Sequence, residues 1–115
     1  MSNGVINFGN VANMVAPTHS TVVVGATSTA VLTKNQKRKY VILQNASAEP
    51  ISVKFGATAV VGSGIILSAD STGGATPDGD GGTYEISPAF GNLDYGTINA
   101  ISTSGSMNLL VTECE

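Results

Sequence analysis

Charged side chains are scarce in this sequence. Asp, Glu, Lys and Arg make up 11% of the residues, against about 25% in typical soluble domains. The formal net charge of −3 is too small, and of the wrong sign, to attract DNA, RNA or anionic lipid to the protein as a whole. A surface with so little charge is covered by Ser, Thr, Asn and Gly or is partly hidden against another molecule. A surface that is partly hidden against another molecule favours a subunit of an assembly over a freely diffusing enzyme.

Cysteines, signal-peptide features and long apolar runs are also rare or missing. Cys114 is the one cysteine, so no internal disulfide can form. The N-terminus has neither a basic region nor a continuous apolar stretch, so we do not expect a signal peptide. No apolar run approaches the ~18–20 residues that cross a membrane. We therefore predict synthesis in a cytoplasm and no membrane partner.

The sequence offers few groups for catalysis. His19 is the one histidine, and Cys114 lies at the opposite end of the chain. Acid–base or nucleophilic catalysis needs a positioned partner for such a group, and the carboxylates are spread over separate segments. The glycines form neither a Gly-x-Gly-x-x-Gly motif nor a P-loop. Trp is absent, and the six Phe and Tyr residues do not cluster near the basic residues, as stacking on nucleic acid requires. We predict no enzyme, no cofactor and no nucleic-acid partner.

The longest segment without a strand pattern is residues 70–82 (DSTGGATPDGDGG), which contain five Gly and three Asp. We expect this segment to be an exposed, mobile loop. The Asp78–Gly81 stretch (DGDG) resembles part of a calcium loop, but an EF-hand continues to a Glu at its twelfth position. Glu85 fits an outward-facing strand residue instead. We interpret the loop as acidic, solvated and without a metal, and calcium binding stays open as an alternative.

From residue 21 onward the sequence has the pattern of an all-β domain. Short runs rich in Val, Ile, Thr and Tyr alternate with Gly, Ser, Asn or Pro. In Ile51–Phe55, apolar and polar residues alternate, which predicts a strand with one face on a core and one in water. We predict a single-domain antiparallel β-sandwich of jelly-roll type over residues 21–115. The predicted strands are Thr21–Val24, Ala30–Thr33, Lys39–Asn45, Ile51–Phe55, Gly64–Ser68, Thr83–Ser87, Thr97–Thr103 and Met107–Glu113.

Two of these strands lack the alternation. Tyr40–Leu43 and Leu109–Val111 are apolar at every position, which predicts strands covered on both faces. A small isolated sandwich needs few such strands, so a neighbouring subunit is the expected second cover. In the connections, Ser104-Gly105 predicts a hairpin tip between the last two strands. Ser87-Pro88 predicts the start of a short helical turn.

Residues 1–20 form a separate N-terminal arm in this interpretation. They show no sustained period, and an ordinary terminus of this kind frays. However, several residues are too apolar for a segment that is only solvated. The arm therefore packs either on a neighbouring subunit or back on its own domain, and the sequence leaves both possibilities open. The apolar residues proposed to make this contact are Val5, Ile6, Phe8, Val11 and Met14.

Four of the five basic residues lie within six positions, at Lys34, Lys37, Arg38 and Lys39. One interpretation is a solvated loop whose charges keep the start of the next strand from pairing with the wrong edge. A second is an ionic contact with an acidic surface on a partner. Nucleic acid is the weakest of the three, because four charges on one loop of an acidic protein make a small electrostatic footprint.

Six strand motifs lie within residues 38–113, at 38–45 (RKYVILQN), 50–56 (PISVKFG), 64–67 (GIIL), 82–86 (GTYEI), 96–101 (GTINAI) and 109–113 (LLVTE). Together they resemble the strand motifs of small virion structural proteins of tailed bacteriophages. The motifs carry no catalytic residues, and the first 37 residues match poorly.

The resemblance implies a β-sandwich building block of a phage particle. The short chain and the apolar arm favour a head decoration (cement) protein, a homotrimer that binds the major capsid protein on the outside of the virion. The alternative is a tail or fibre domain that binds a host-surface glycan or another tail protein. The residues expected to contact the capsid or a sister subunit are the five apolar arm residues, the four basic residues, Tyr40, Leu109 and Leu110.

Overall fold

The computed structural model of this chain describes residues 16–73 and 76–115. These residues form eight β-strands and one short 3₁₀ turn, and they include no helix long and apolar enough to span a membrane. The strands are β1 (Pro17–Val24), β2 (Thr29–Leu32), β3 (Tyr40–Asn45), β4 (Ile51–Phe55), β5 (Ile65–Leu67), β6 (Thr83–Ile86), β7 (Ile98–Ser102) and β8 (Met107–Cys114). The 3₁₀ turn spans Pro88–Phe90, where the helical turn was predicted.

The strands form two four-stranded antiparallel sheets. The first sheet has the order β1-β8-β3-β6, and the second has the order β2-β7-β4-β5. Only the β4–β5 connection joins two strands of the same sheet, and every other connection crosses from one sheet to the other. The predicted all-β sandwich is therefore confirmed.

Two local expectations differ from the structure. The Ser104-Gly105 hairpin prediction is wrong, because β7 belongs to the second sheet and β8 to the first, so this connection links the sheets. The strand expected to begin at Thr21 begins at Pro17, because pairing with β8 continues to Pro17 opposite Cys114. Residues 17–20, which we had expected in the arm, are thus part of the first sheet.

The core lies between the two sheets and consists of branched aliphatic side chains. Val41 and Leu43 of β3 face it together with Leu109 and Val111 of β8, and all four are essentially inaccessible to solvent. The second sheet contributes an equivalent set. The full cluster is Val24, Val31, Val41, Leu43, Ile51, Val53, Leu67, Ile86, Ile98, Ala100, Leu109 and Val111.

The outer faces of the two sheets differ in how much their own domain covers them. On the second sheet, Ser52 was expected to face water but is 4% exposed. The β4–β5 connection covers it, and the Gly62 N–H donates a hydrogen bond to the Ser52 hydroxyl. On the first sheet, Val23 is 56% exposed and Leu110 is 38% exposed. The outer face of the first sheet is therefore open, whereas the β4–β5 connection covers Ser52 on the second sheet but leaves Ile66 of β5 55% exposed.

The strand directions divide the connections between two ends of the sandwich. One end, which we call the lysine end, holds residues 33–39, 56–64 and 87–97, the start of β1 and Glu115. The opposite end, which we call the aspartate end, holds residues 25–28, 46–50, 68–82 and 103–106. These two ends and the open outer face are the parts of the surface that bear on function.

Candidate functional site

Arg38 is a buried anchor of the lysine end. Its side chain is inaccessible to solvent, and its Nε lies 2.7 Å from Oε2 of Glu113, which is itself 18% exposed. The guanidinium also donates hydrogen bonds to the backbone carbonyls of Thr33, Asp94 and Gly96, each 2.8 Å long. Arg38 therefore fixes the β2–β3 and β6–β7 connections to the end of β8. The expectation that Arg38 contacts a partner is wrong, because its own domain buries and occupies it.

The three lysines of the same connection remain accessible to a partner. Lys34 and Lys37 are exposed, and Lys39 is half-buried. The connection is held in place by the Asn35 N–H, which donates to the Tyr95 carbonyl over 2.8 Å. This contact brings Tyr95, which is 42% exposed, beside the basic connection. Sequence reasoning missed Tyr95 because no local pattern links it to lysines some sixty positions away.

The charges are distributed unequally between the two ends. Four of the five basic side chains lie on the 33–39 connection at the lysine end, together with Asp94, Glu115 and Glu113, which pairs with Arg38. The aspartate end carries Glu49, Asp70, Asp78 and Asp80, and no Lys or Arg lies on the described connections there. The lysines are thus a local group of cations on a mixed surface, and the opposite end is uniformly acidic.

A shallow groove crosses the outer face of the first sheet. Its volume is about 340 Å³, and its lining comes from β1, β8 and β3. His19 lies at one side, where its Nδ1 is 2.9 Å from Oγ1 of Thr112. Ile42 and Gln44 of β3 line the opposite side, and Leu110 of β8 lies between the two sides. The groove offers an apolar floor with a few hydroxyl and amide groups, and no described residue beside His19 forms a catalytic pair with it.

The residues predicted for strands covered on both faces prove to be divided between the core and this outer face. Val41 and Leu43 point into the core, whereas Tyr40 and Ile42 are half-buried on the outer face. On β8, Leu109 is fully buried and Leu110 is exposed. The expected partner contact of Leu109 is therefore wrong, because that side chain belongs to the core, and Tyr40 and Leu110 keep the exposure that a contact requires.

The arm residues predicted to make contact lie outside the described residues. Val5, Ile6, Phe8, Val11 and Met14 all precede residue 16. The described chain begins at Ala16, which has a φ of 51° and therefore lies in the left-handed region that non-glycine residues rarely adopt. It meets β1 at the lysine end, next to Cys114 and close to the groove.

The described residues of the acidic loop are organised around Asp70. Its carboxylate is 2% exposed and accepts hydrogen bonds from the backbone N–H groups of Thr72 and Gly79, at 2.9 and 3.0 Å. Asp80 accepts the Ser71 N–H at 2.8 Å and also the Ser71 hydroxyl. Oxygens of Asp70, Asp78 and Asp80 lie within 4.8 Å of one another. Because loop N–H and O–H groups already occupy these carboxylates, the cluster is accounted for by the fold of the loop.

Hydrogen bonding and charge shift the acidities in this loop in opposite directions. Burial raises the pKa of Asp70, but the N–H groups of Thr72, Gly79 and Asp78 together lower it to about 2. The hydrogen bonds from Ser71 lower the pKa of Asp80. For Asp78, the Asp80 N–H lowers the pKa, but desolvation and the neighbouring carboxylates outweigh it and raise the pKa. Asp70 therefore stays ionised to low pH although it lies beneath the surface.

Cys114 is a buried thiol at the end of β8. Burial and the neighbouring Glu113 carboxylate raise its pKa. A thiol whose pKa is raised carries little thiolate at neutral pH and is a poor nucleophile. This environment is that of an inert structural cysteine.

Comparisons with known proteins add little to these observations. No protein-family model matches the chain, and no curated protein matches it either. One solved structure, described as "Bacillus endospore appendages form a novel family of disulfide-linked pili", has 10% sequence identity and a TM-score of 0.42, and the match covers 85% of this chain and 84% of that one. An overlap of this size supports no conclusion about what this chain does.

Proposed function

We propose that this chain is a structural protein of a bacteriophage virion that binds the outside of the assembled capsid and stabilises the shell. It is made in the bacterial cytoplasm and acts as a homo-oligomer, in the trimeric arrangement implied by the resemblance to head decoration proteins. The observation that carries the proposal is the open outer face of the first sheet. This face exposes Val23 of β1 and Leu110 of β8, and β1 follows directly on residues 1–15, which contain the apolar arm residues.

The physical basis of such a role is selective binding to the assembled state. A protein that binds the lattice but not its separated subunits adds its binding free energy to the stability of the shell by mass action. Repetition over many equivalent sites makes modest contacts sufficient. A sandwich with a low charge content and a partly apolar outer face fits contacts of this kind.

The proposed contact surface is smaller than the sequence alone suggested. Arg38 and Leu109 leave the set because both are buried by their own domain. The remaining contacts with the major capsid protein or a sister chain are the five apolar arm residues together with Lys34, Lys37, Lys39, Tyr40 and Leu110.

Deleting residues 1–16 tests the role of the arm in attachment. The sandwich begins at Pro17, so the truncated chain keeps all eight strands. We expect weaker attachment to purified heads, measured by co-sedimentation, together with an unchanged circular dichroism spectrum. A truncated chain that saturates heads with the affinity of the full chain would refute the arm contact.

Charge reversal tests the lysines. Lys34→Glu and Lys37→Glu change exposed side chains that make no ion pair in the described chain. We expect a lower affinity for heads and a flatter dependence of that affinity on salt, because ionic contacts are screened. Lys54→Glu is the matched control, because Lys54 is half-buried on β4 of the second sheet, outside the proposed contacts. Equal binding curves for all three variants would return the lysines to a solvated role.

The second candidate is a tail or fibre domain that binds a host-surface glycan or another tail protein. The acidic loop at the aspartate end is the feature that favours it. Labelling over the tail and a thermal shift on addition of glycan or calcium would support this candidate. Labelling over the head without such a shift would exclude it.

A further inference from the structure

Within residues 16–73 and 76–115 the sandwich has four strand edges, and the edge formed by β1 differs from the other three. An exposed edge invites pairing with another chain, and proteins block it by short length, charge or a bulge. β5 has three residues, β6 has four residues including Glu85, and β2 has four residues with a register shift after Ala30. β1 has eight residues (PTHSTVVV) in unbroken register with β8 and contains no Lys, Arg, Asp or Glu. Apart from Pro17 at its first position, it thus lacks the protection that the other edges have.

Hydrogen bonds on the far side of β8 show which backbone groups of β1 point outward. The Ala46 and Lys39 N–H groups donate to the carbonyls of Asn108 and Cys114, so the even-numbered residues of β8 bond to β3. Because peptide groups alternate along an antiparallel strand, the odd-numbered residues of β8 bond to β1. Their partners in β1 are the even-numbered residues, from Thr18 to Val24.

The odd-numbered residues of β1 therefore point their backbone groups away from the sheet. These residues are Pro17, His19, Thr21 and Val23. They present three N–H groups and four carbonyls along one line, and no strand among the described residues pairs with that line. Pro17, which has no N–H, occupies one of the outward positions, where its missing donor removes no bond to β8.

We propose that the outer edge of β1 binds residues 1–15 of a second copy of this chain as an added strand. Strand addition needs an extended segment and uses main-chain hydrogen bonds for affinity. Fifteen residues have a reach of about 50 Å, which is more than eight paired residues require. Residues 1–15 contain no Lys, Arg, Asp or Glu, so the segment and the edge match in lacking charge.

The start of β1 argues against the simplest pairing within one chain. A two-residue hairpin at residues 15 and 16 would be closed by the N–H of residue 17 bonding to the carbonyl of residue 14. Residue 17 is a proline and has no N–H. Pro17 therefore excludes the tightest turn back onto β1 within one chain, which favours a donated segment from a neighbouring copy.

This contact rests on the proposed role as an assembly subunit and specifies how the copies are joined. The donated segment and the accepting edge are different surfaces, so the contact is heterologous. Heterologous contacts close into rings when the rotation between copies allows it. Each copy of a ring donates one arm and accepts one, as a trimer requires.

Two substitutions on opposite edges of the same sheet test the accepting surface. Thr21 and Thr83 lie in one row of the first sheet, through the pairs Thr21–Leu110, Leu110–Gln44 and Gln44–Thr83. The backbone N–H of each points outward from its own edge. In the full chain, Thr21→Pro removes one outward donor of β1, and we expect about tenfold weaker self-association by sedimentation equilibrium. Thr83→Pro removes the equivalent donor of β6 and should leave self-association unchanged.

A second pair of variants covers the case in which a proline disturbs folding. Thr21→Lys places a charge on the β1 edge, and Thr83→Lys places one on the β6 edge. We expect only Thr21→Lys to weaken self-association, with equal circular dichroism spectra for both. If Thr21→Lys, Thr83→Lys and the unchanged chain all self-associate equally strongly, the proposal is overturned.

A chain without residues 1–15 separates the possible occupants of the edge. We expect this truncated chain to be monomeric and to bind a synthetic peptide of residues 1–15, with the NMR shifts concentrated on β1. Self-association of the truncated chain at the level of the full chain would indicate pairing of β1 with β1 and overturn the proposal. A full chain that is monomeric would also overturn the proposal, because the β1 edge would then be empty or occupied by the chain's own arm.

The failure of this proposal is distinguishable from a failure of the proposed function. Self-association is measured on the isolated protein, whereas attachment is measured on heads. A chain that assembles through its arm but does not bind heads would sustain the strand contact and refute the capsid role. A chain that binds heads as a monomer would refute the strand contact and sustain the capsid role.

Discussion

Replacing Arg38 with methionine removes a buried cation whose four hydrogen bonds connect three parts of the lysine end. The substitution deprives Glu113 of its ionic partner and leaves the carbonyls of Thr33, Asp94 and Gly96 without their donor. Breaking a buried ion pair from one side costs about 3–5 kcal/mol, and an unsatisfied buried carbonyl costs about 1–3 kcal/mol. Glu113 is 18% exposed, so water relieves part of its loss. We therefore expect a decrease of about 3–5 kcal/mol in the free energy of unfolding.

Urea denaturation followed by circular dichroism measures this loss, since the chain has no tryptophan. Lys37→Met is the matched control, because Lys37 is the exposed neighbour and a surface substitution of this kind changes stability by about 0.5 kcal/mol or less. The double variant Arg38→Met with Glu113→Leu should recover part of the loss, because it leaves no unpaired charge. A loss below about 1 kcal/mol for Arg38→Met alone would refute the reasoning that Arg38 anchors these connections.

Three further predictions concern other parts of the sandwich. The pKa of Asp70 falls from 3.8 to about 2 on folding. Its ionised carboxylate therefore stabilises the fold above pH 3.8, and this contribution disappears as the pH falls towards 2. Between these pH values, the urea midpoint of the Asp70→Asn variant should vary less than the urea midpoint of the unchanged chain. Cys114 should react with a thiol reagent at least tenfold more slowly in the folded chain than in urea, and equal rates would contradict its burial. Gly64→Ala should lower the free energy of unfolding by about 2 kcal/mol or more, because φ at Gly64 is 85° and an added Cβ would clash with the Val53 carbonyl. Gly105→Ala is the control, because nothing lies within 4 Å of an added Cβ there.

Much of the fold follows from local sequence patterns. All eight predicted strands are present, because runs such as Ile51–Phe55 have the branched side chains and flanking turn residues that define a strand locally. The 3₁₀ turn was predictable for the same reason, since Ser87 caps it and Pro88 begins it. The pairing of the strands was harder to predict from the sequence. The β7–β8 connection has the composition of a hairpin, but the choice of sheet depends on contacts distant in sequence.

The candidate site was less predictable because burial of a polar residue depends on partners distant in sequence. Arg38 looks like its lysine neighbours in the sequence, and it differs from them only because Asp94, Gly96 and Glu113 surround it in the fold. In an apolar run, by contrast, the sequence does not show which residues remain exposed in the fold. Leu109 and Leu110 are identical in type, yet alternation along β8 buries one and exposes the other.

Imaging purified virions that carry a gold label on this chain tests the central claim most directly. The proposed function predicts labels distributed over the outside of the head, at positions that repeat with the capsid lattice. Particles lacking the chain should lose these labels and release their contents at a lower temperature than complete particles. Labels confined to the tail, or heads of equal thermal stability with and without the chain, would contradict a role in stabilising the capsid.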